Sequence, residues 1–251
     1  MGDERAVIRS LPTGVPGLDT VLGGGLPEFS FNLVAGGPGS GKTTLAHQIM
    51  FANATAERPG LYFTVLGEPT LKMLRYQRQF SFFDLELAGS AIQFINLSAE
   101  VMERDLGEVL QRMVTEIEHA QPGIVVVDSF RTIAGQHVSS ERGAAYDLDH
   151  FVQRLALHLT SWEVTSFLLG EYAEAEQRNP VFTVADGILW LSQATDRNSV
   201  VRKLQVVKTR GRAPMPGLHT FRITDAGLQT FPRSRPVFSC TSPSRSSCLN
   251  W

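Results

Sequence analysis

Gly36-Gly37-Pro38-Gly39-Ser40-Gly41-Lys42-Thr43 is the stretch whose reading decides the fold. It satisfies the pattern G-x-x-x-x-G-K-[ST], and its surroundings suit that pattern. The apolar run Asn32-Leu33-Val34-Ala35 enters it, and a helical stretch containing Thr44, Leu45, Ala46, Gln48, Ile49 and Met50 leaves it. Such glycines let the backbone curl around phosphate oxygens with its N–H groups pointing inward, and the start of the helix adds partial positive charge. On this reading Gly37, Pro38, Gly39, Ser40, Gly41 and Thr44 form a phosphate cradle. Lys42 reaches the β- and γ-phosphates, and the Thr43 hydroxyl ligates Mg2+.

A phosphate loop of this kind needs an acidic partner for the magnesium shell. Ile124-Val125-Val126-Val127-Asp128-Ser129 supplies one, an apolar strand ending in Asp128. A carboxylate at the carboxyl end of a buried parallel strand faces the same crevice as the loop. Further out, apolar runs alternate with amphipathic stretches, as in a mostly parallel α/β sheet flanked by helices. The strand candidates are 31–35, 61–65, 92–96, 124–127, 166–169 and 187–191. Leu106, Val109, Leu110, Met113 and Ile117 recur at helical spacing, as do Leu148, Phe151, Val152, Leu155 and Leu159. Residues 200–208 and 218–224 read as strands with no helix between them, which predicts an antiparallel C-terminal extension. The body runs over residues 1–231. Residues 232–251 are rich in Ser, Pro and Arg, lack acidic residues and are expected to form a disordered tail.

The 251 residues carry a net charge of −2, so no strong field draws the chain to nucleic acid or an anionic membrane. No apolar run approaches the roughly 20 residues of a membrane span, and the charged start Met1–Arg5 has no apolar core behind it. The two cysteines, Cys240 and Cys248, both lie in the tail, so no disulfide frames the fold and a cytoplasmic location is expected. The histidines are scattered without metal-ligand spacing.

Other motifs carry a family resemblance. Thr13-Gly14-Val15-Pro16-Gly17-Leu18-Asp19 and Leu22-Gly23-Gly24-Gly25-Leu26-Pro27 resemble the lead-in of RecA-superfamily ATPases, above all the KaiC-like family. Val127-Asp128-Ser129, Lys208-Thr209-Arg210-Gly211 and Ile223-Thr224-Asp225-Ala226-Gly227 match as well, so the resemblance spans about residues 8 to 232. It implies a RecA-like fold and a ring of identical copies, commonly a hexamer, with ATP held between neighbours. It also implies that Lys208 and Arg210, with Thr209 between them, meet the γ-phosphate held by the adjacent subunit. Two cations one residue apart on a strand project from the same side and can neutralise a transferring phosphoryl group. Thr224 and Asp225 match nucleotide contacts near the base and sugar.

The family places two adjacent glutamates after the second strand. Here Thr64-Val65-Leu66-Gly67-Glu68-Pro69 keeps Glu68 and has Gly67 in place of the other. One carboxylate can orient and deprotonate a water, which suffices for hydrolysis; the competing reading makes Glu68 an acidic helix-start residue. Glu171, ending the run Phe167-Leu168-Leu169-Gly170, is a further carboxylate at the crevice side. The resemblance leaves three functions to weigh. An ATP-hydrolysing ring in signalling or clock-type regulation, with partner proteins to match, comes first. A serine/threonine autokinase would use Thr183 as acceptor, but Phe182 replaces the neighbouring acceptor and Gly67 removes a carboxylate. A RecA-type recombinase would require basic loops, whereas 171–179 carries Glu171, Glu174 and Glu176 against Arg178, so DNA is not the expected partner. Phe182-Thr183-Val184-Ala185 does fit the F-x-x-A polymerisation pattern of recombinases.

Overall fold

The computed structural model describes residues 8–64, 70–99, 106–128, 143–172, 180–196 and 198–233. A short antiparallel ribbon, β1 (Ser10–Leu11) with β2 (Leu26–Pro27), precedes the main sheet. The main sheet contains β3 (Phe31–Gly36), β4 (Gly60–Thr64), β5 (Ile92–Asn96), β6 (Ile124–Asp128), β7 (Thr165–Glu171), β8 (Gly187–Asp196), β9 (Ser199–Thr209), β10 (His219–Thr224) and β11 (Gly227–Phe231). Their order is β11-β10-β9-β8-β3-β7-β6-β4-β5. From β8 through β3 to β5 neighbours run parallel. From β8 to β11 they form an antiparallel meander. The helices are α1 (Leu18–Leu22), α2 (Lys42–Asn53), α3 (Thr70–Gln77), α4 (Leu87–Ser90), α5 (Leu106–Ala120), α6 (Gly143–Ser161) and α7 (Pro180–Val184). Among the described residues no helix is long and apolar enough to cross a membrane.

Burial on both faces explains the near-continuous apolar strands. Alternate residues of a strand serve opposite layers. Leu33, Phe63, Val125 and Val127 join the α5 and α6 stripes, Val109, Met113, Phe151 and Leu155 among them. Val34, Tyr62 and Val126 pack with Leu45, Ile49 and Met50 of α2. Strands β3, β6, β7, β8 and β9 are one to five residues longer than the apolar runs alone indicate, because polar ends such as Asp128 and Glu171 continue the ladder, while β5 coincides with its expected run. Position 65, expected at the end of β4, lies outside the described residues, as do Leu148's side chain and the tail beyond 233.

This topology gives the sheet two unlike edges. The parallel strands β3, β6 and β7 all deliver their carboxyl ends to one edge, where Gly36, Asp128 and Glu171 emerge. Strand β9 runs the other way, so its last residues arrive at the opposite, amino edge beside Gly187 and Ile188.

Candidate phosphate-binding site

β3 feeds the phosphate loop and α2 leaves it. A Cβ on Gly36 would collide with the Leu191 carbonyl oxygen, so only glycine lets the loop start against β8. Gly41 sits at φ +101° directly before α2, with Ile223 of β10 against it; a Cβ there would lie 2.8 Å from Ile223 Cδ1. The loop is therefore held by strands on its own side of the sheet. Lys42 is buried, and its ammonium donates to the carbonyls of Gly36 (3.0 Å) and Gly37 (2.8 Å). Burial lowers its pKa, against the opposing charges of Glu171 and Asp128. The Ser40 hydroxyl is buried with no hydrogen-bond partner among the described residues, an unsatisfied donor inside the loop.

Asp128 joins this cradle from β6. Its Oδ2 accepts from the Thr43 hydroxyl at 2.8 Å and from the Tyr62 phenol of β4 at 2.6 Å. Burial raises the Asp128 pKa; the hydrogen bonds from Tyr62 and Thr43 and the charge of Lys42 oppose it, while Glu171 adds to the rise. Glu171 pairs in register with Gly36, so its charge is felt by both Lys42 and Asp128. Thr43 and Asp128 thus present hard oxygen donors beside the loop, the donor type that Mg2+ takes.

The glycine-rich lead-in braces the loop's helix. Asp19 Oδ1 accepts from Thr13 N (2.9 Å) and Thr13 Oγ1 (2.6 Å), closing the Thr13–Asp19 turn. Gln48, buried on α2, donates to the carbonyls of Gly14 (3.2 Å) and Leu228 (3.3 Å) and accepts from Leu228 N (2.7 Å). One side chain therefore ties lead-in, phosphate-loop helix and β11 together. Thr224 and Asp225 form the β10–β11 turn at the carboxyl edge, where Thr224 Oγ1 accepts from Ala226 N and the Asp225 carbonyl from Ser81 N. Thr44 lies in the first turn of α2.

Lys208 and Arg210 do not share that edge. Lys208 stands opposite Ile188, level with Leu33, and two strands away from β3. Strand spacing and rise put it about 14 Å from Gly36 of its own chain. Its ammonium donates to the carbonyls of Thr183 (3.1 Å) and Phe182 (3.4 Å) on α7. Burial, then Arg210, lowers its pKa against the opposing Asp186. Arg210 Nη1 pairs with Asp186 Oδ1 at 2.8 Å, and Asp186 Oδ2 accepts from Phe31 N at 3.0 Å. Both cations thus lean on the same 182–186 segment. Glu68, Gly67, Glu174, Glu176 and Arg178 lie outside the described residues.

The sequence reading missed Tyr62, Gln48, His47 and Asp186. Each looks like ordinary core or strand-end composition until the strands are paired; a phenol within the apolar Leu61-Tyr62-Phe63 was the one visible signal. His47, one turn beyond Thr43, is fully buried with its ring 4.5 Å from that of Tyr62.

A mostly parallel sheet with this loop, a strand-end aspartate and an antiparallel extension defines a P-loop ATPase of RecA-like fold. The sequence pattern of the family described as "ATPase: KaiC" matches residues 11–235, and the chain belongs to that family. A UPF0273 protein of Thermotoga maritima is 27% identical over 246 residues, covering 90% of this chain and 97% of the relative. The circadian clock oscillator protein KaiC of a Picosynechococcus strain is 27% identical over 90% of this chain, which spans 45% of that protein. The DNA repair protein RadA of Mycobacterium tuberculosis is 31% identical over 88% of this chain, which spans 43% of it. A solved KaiC-like protein of Pyrococcus horikoshii superposes with TM-score 0.75 at 24% identity, over 90% of this chain and all of that one.

Proposed function

We propose that the chain binds Mg·ATP on the phosphate loop and hydrolyses it in sites completed by a second copy of itself, in a ring of six, as a regulatory ATPase of signalling or clock type. The observation that carries the shared site is the separation of the two cationic sets, with Lys42 on the carboxyl edge and Lys208 and Arg210 on the amino edge. A lysine whose backbone stands about 14 Å from its own phosphate loop, with its ammonium turned to the carbonyls of Phe182 and Thr183, contributes to phosphoryl transfer across a boundary between copies. Backbone N–H groups of residues 39–43 and the Lys42 ammonium hold the β- and γ-phosphates, and Thr224 and Asp225 meet the base and sugar. Thr43 and Asp128 hold Mg2+, which supplies charge neutralisation between those phosphates. Glu68 orients and deprotonates the attacking water.

A second reading has one observation of its own. Thr183 lies directly beside Lys208, whose ammonium bonds its carbonyl. If Lys208 meets a neighbour's γ-phosphate, Thr183 is brought to it too, which makes it the acceptor for autophosphorylation. The kinship with RadA extends to under half of that protein and supports the shared ATPase fold. Native mass spectrometry with and without Mg·ATP, followed by intact-mass measurement, tests both. A nucleotide-dependent hexamer of unmodified chains supports hydrolysis alone. Added phosphate that Thr183→Ala removes supports the kinase. A monomer at micromolar concentration with Mg·ATP overturns the shared site.

A further inference from the structure

Tyr62 is the middle residue of β4, between Leu61 and Phe63, and is fully buried. A phenylalanine would fill the same volume without a hydroxyl to satisfy, and burying a phenol is costly unless it is hydrogen-bonded. Among the described residues, the hydroxyl's partner is Asp128, at 2.6 Å. This is a bond to a carboxylate, the strong class of hydrogen bond.

The ring packs in a three-ring cluster with His47 of α2, centroids 4.5 Å apart, and Phe94 of β5, centroids 5.6 Å apart, and those two rings lie 6.0 Å from each other. His47 stands one turn after Thr43 on the same helix, so this packing ties Tyr62 to the helix that carries Thr43. Tyr62 and Thr43 both end on Oδ2 of Asp128. A carboxylate at a strand end otherwise turns about two torsions. Two donors on one oxygen fix its plane and leave Oδ1 as the freer acceptor.

We propose that Tyr62 is a positioning residue of the metal site, holding Asp128 in the one orientation that serves a divalent cation beside Thr43. The inference rests on the reading of Asp128 as the magnesium-holding carboxylate. A phenol on a neighbouring strand then does for a carboxylate what an outer hydrogen-bond partner does for a metal-binding histidine: it sets orientation before the ion arrives.

The test is the affinity of the full-length protein for a fluorescent ATP analogue, titrated against free Mg2+ and repeated in EDTA. Tyr62→Phe is expected to raise the Mg2+ needed for half-maximal tightening about tenfold, the lower end for loss of an outer partner at a metal site. Affinity in EDTA is expected to stay within about twofold of wild type. Phe94→Leu, which loosens the same ring cluster but leaves the phenol, should lower thermal stability without moving the Mg2+ requirement. In the Asp128→Asn background, Tyr62→Phe should add nothing, because its effect passes through that carboxylate. If Tyr62→Phe does not fold, p-aminophenylalanine at position 62 keeps the ring and a donor, and is expected to keep the wild-type requirement. A wild-type requirement in Tyr62→Phe, or a raised one in the p-aminophenylalanine protein, overturns the role of Tyr62 while Asp128→Asn still loses Mg2+ dependence. A wild-type protein indifferent to Mg2+, or an Asp128→Asn protein that behaves like it, overturns the metal reading beneath it.

Discussion

The two edges of the sheet are built to different rules. At the carboxyl edge the buried Lys42 donates to its own loop carbonyls, and the part-buried Asp128 accepts from Thr43 and Tyr62. At the amino edge the Arg210 side chain is 65% exposed and, among the described residues, is held by an ion pair to Asp186. A largely buried, hydrogen-bonded cluster is preorganised for a ligand within the chain. An exposed cation gains little stability from its pairing, which leaves it free for the role proposed across a boundary between copies. One edge is a finished cradle, and the other is a reach.

The sharpest way to break this contrast is to disable each edge in a separate chain. Lys42→Ala should abolish ATP binding by calorimetry, and Arg210→Ala should cut turnover by about 10³–10⁵, the range for arginine fingers. Mixed and equilibrated, the two inactive proteins should regain activity, since some intact loops then face an intact Arg210. A residue acting within its own chain gives no rescue. Mixed assemblies as inactive as either parent would refute the division of labour between the edges.

Glu68→Gln comes next, with nucleotide affinity retained and turnover lowered by about 10²–10⁴, the usual contribution of a general base. Unchanged turnover would move the role to Glu171, which stands in register with Gly36.

The two edges also differed in how far the sequence disclosed them. The phosphate loop is contiguous, so its glycines, Lys42 and Thr43 announce themselves, and an apolar run ending in a carboxylate points to Asp128. What could not be read is pairing across distance. Tyr62 and Asp128 are 66 positions apart and meet because β4 lies beside β6. Asp186 reaches Arg210 24 positions away through the β8–β9 hairpin. That hairpin breaks strict alternation: register shifts between Ile188 and Leu189, so Val207 is an extra residue just before Lys208. The strand β11 went unread because Gly227–Phe231 is short and half polar; it forms by pairing with β10 and by Gln48 holding Leu228. The chain's fold class was legible throughout, since it follows from periodicity and order of elements.

Acid should find the buried edge and spare the exposed one. Burial pulls the pKa of His47 down from 6.5 to about 4, against a smaller opposing contribution from Gln77. The folded state therefore refuses a proton that the unfolded chain accepts. Stability is fully present above pH 6.5 and falls as pH drops from there toward 4. From pH 7.5 to pH 5 this one group should cost about 2 kcal/mol, measured by urea unfolding. His47→Leu should remove that part of the acid sensitivity. An identical pH dependence in the variant would show that another group is responsible.

The smallest expected effect comes from loosening the amino edge without removing its cation. Asp186 accepts from Arg210 with Oδ1 and from Phe31 N with Oδ2, so it fixes the arginine relative to the start of β3. Asp186→Asn keeps a side-chain oxygen for Phe31 and weakens the hold on Arg210. Because the arginine end of the pair is largely exposed and Asn keeps the acceptor for Phe31 N, stability should change by about 1 kcal/mol or less. Nucleotide affinity, set at the other edge, should not change. Turnover should fall about tenfold, since a misaimed guanidinium still meets the phosphate in part of its conformations; a displacement of about 1 Å can cost more than that. The deficit should follow the chain that donates Arg210. Mixing Asp186→Asn with Lys42→Ala places the variant's loosened arginine against mutant loops, and its intact loops against wild-type arginines. Activity per intact loop should therefore rise above that of Asp186→Asn alone. A deficit that mixing leaves untouched would locate the effect of Asp186 in its own chain's cradle, and the two edges would no longer be separable.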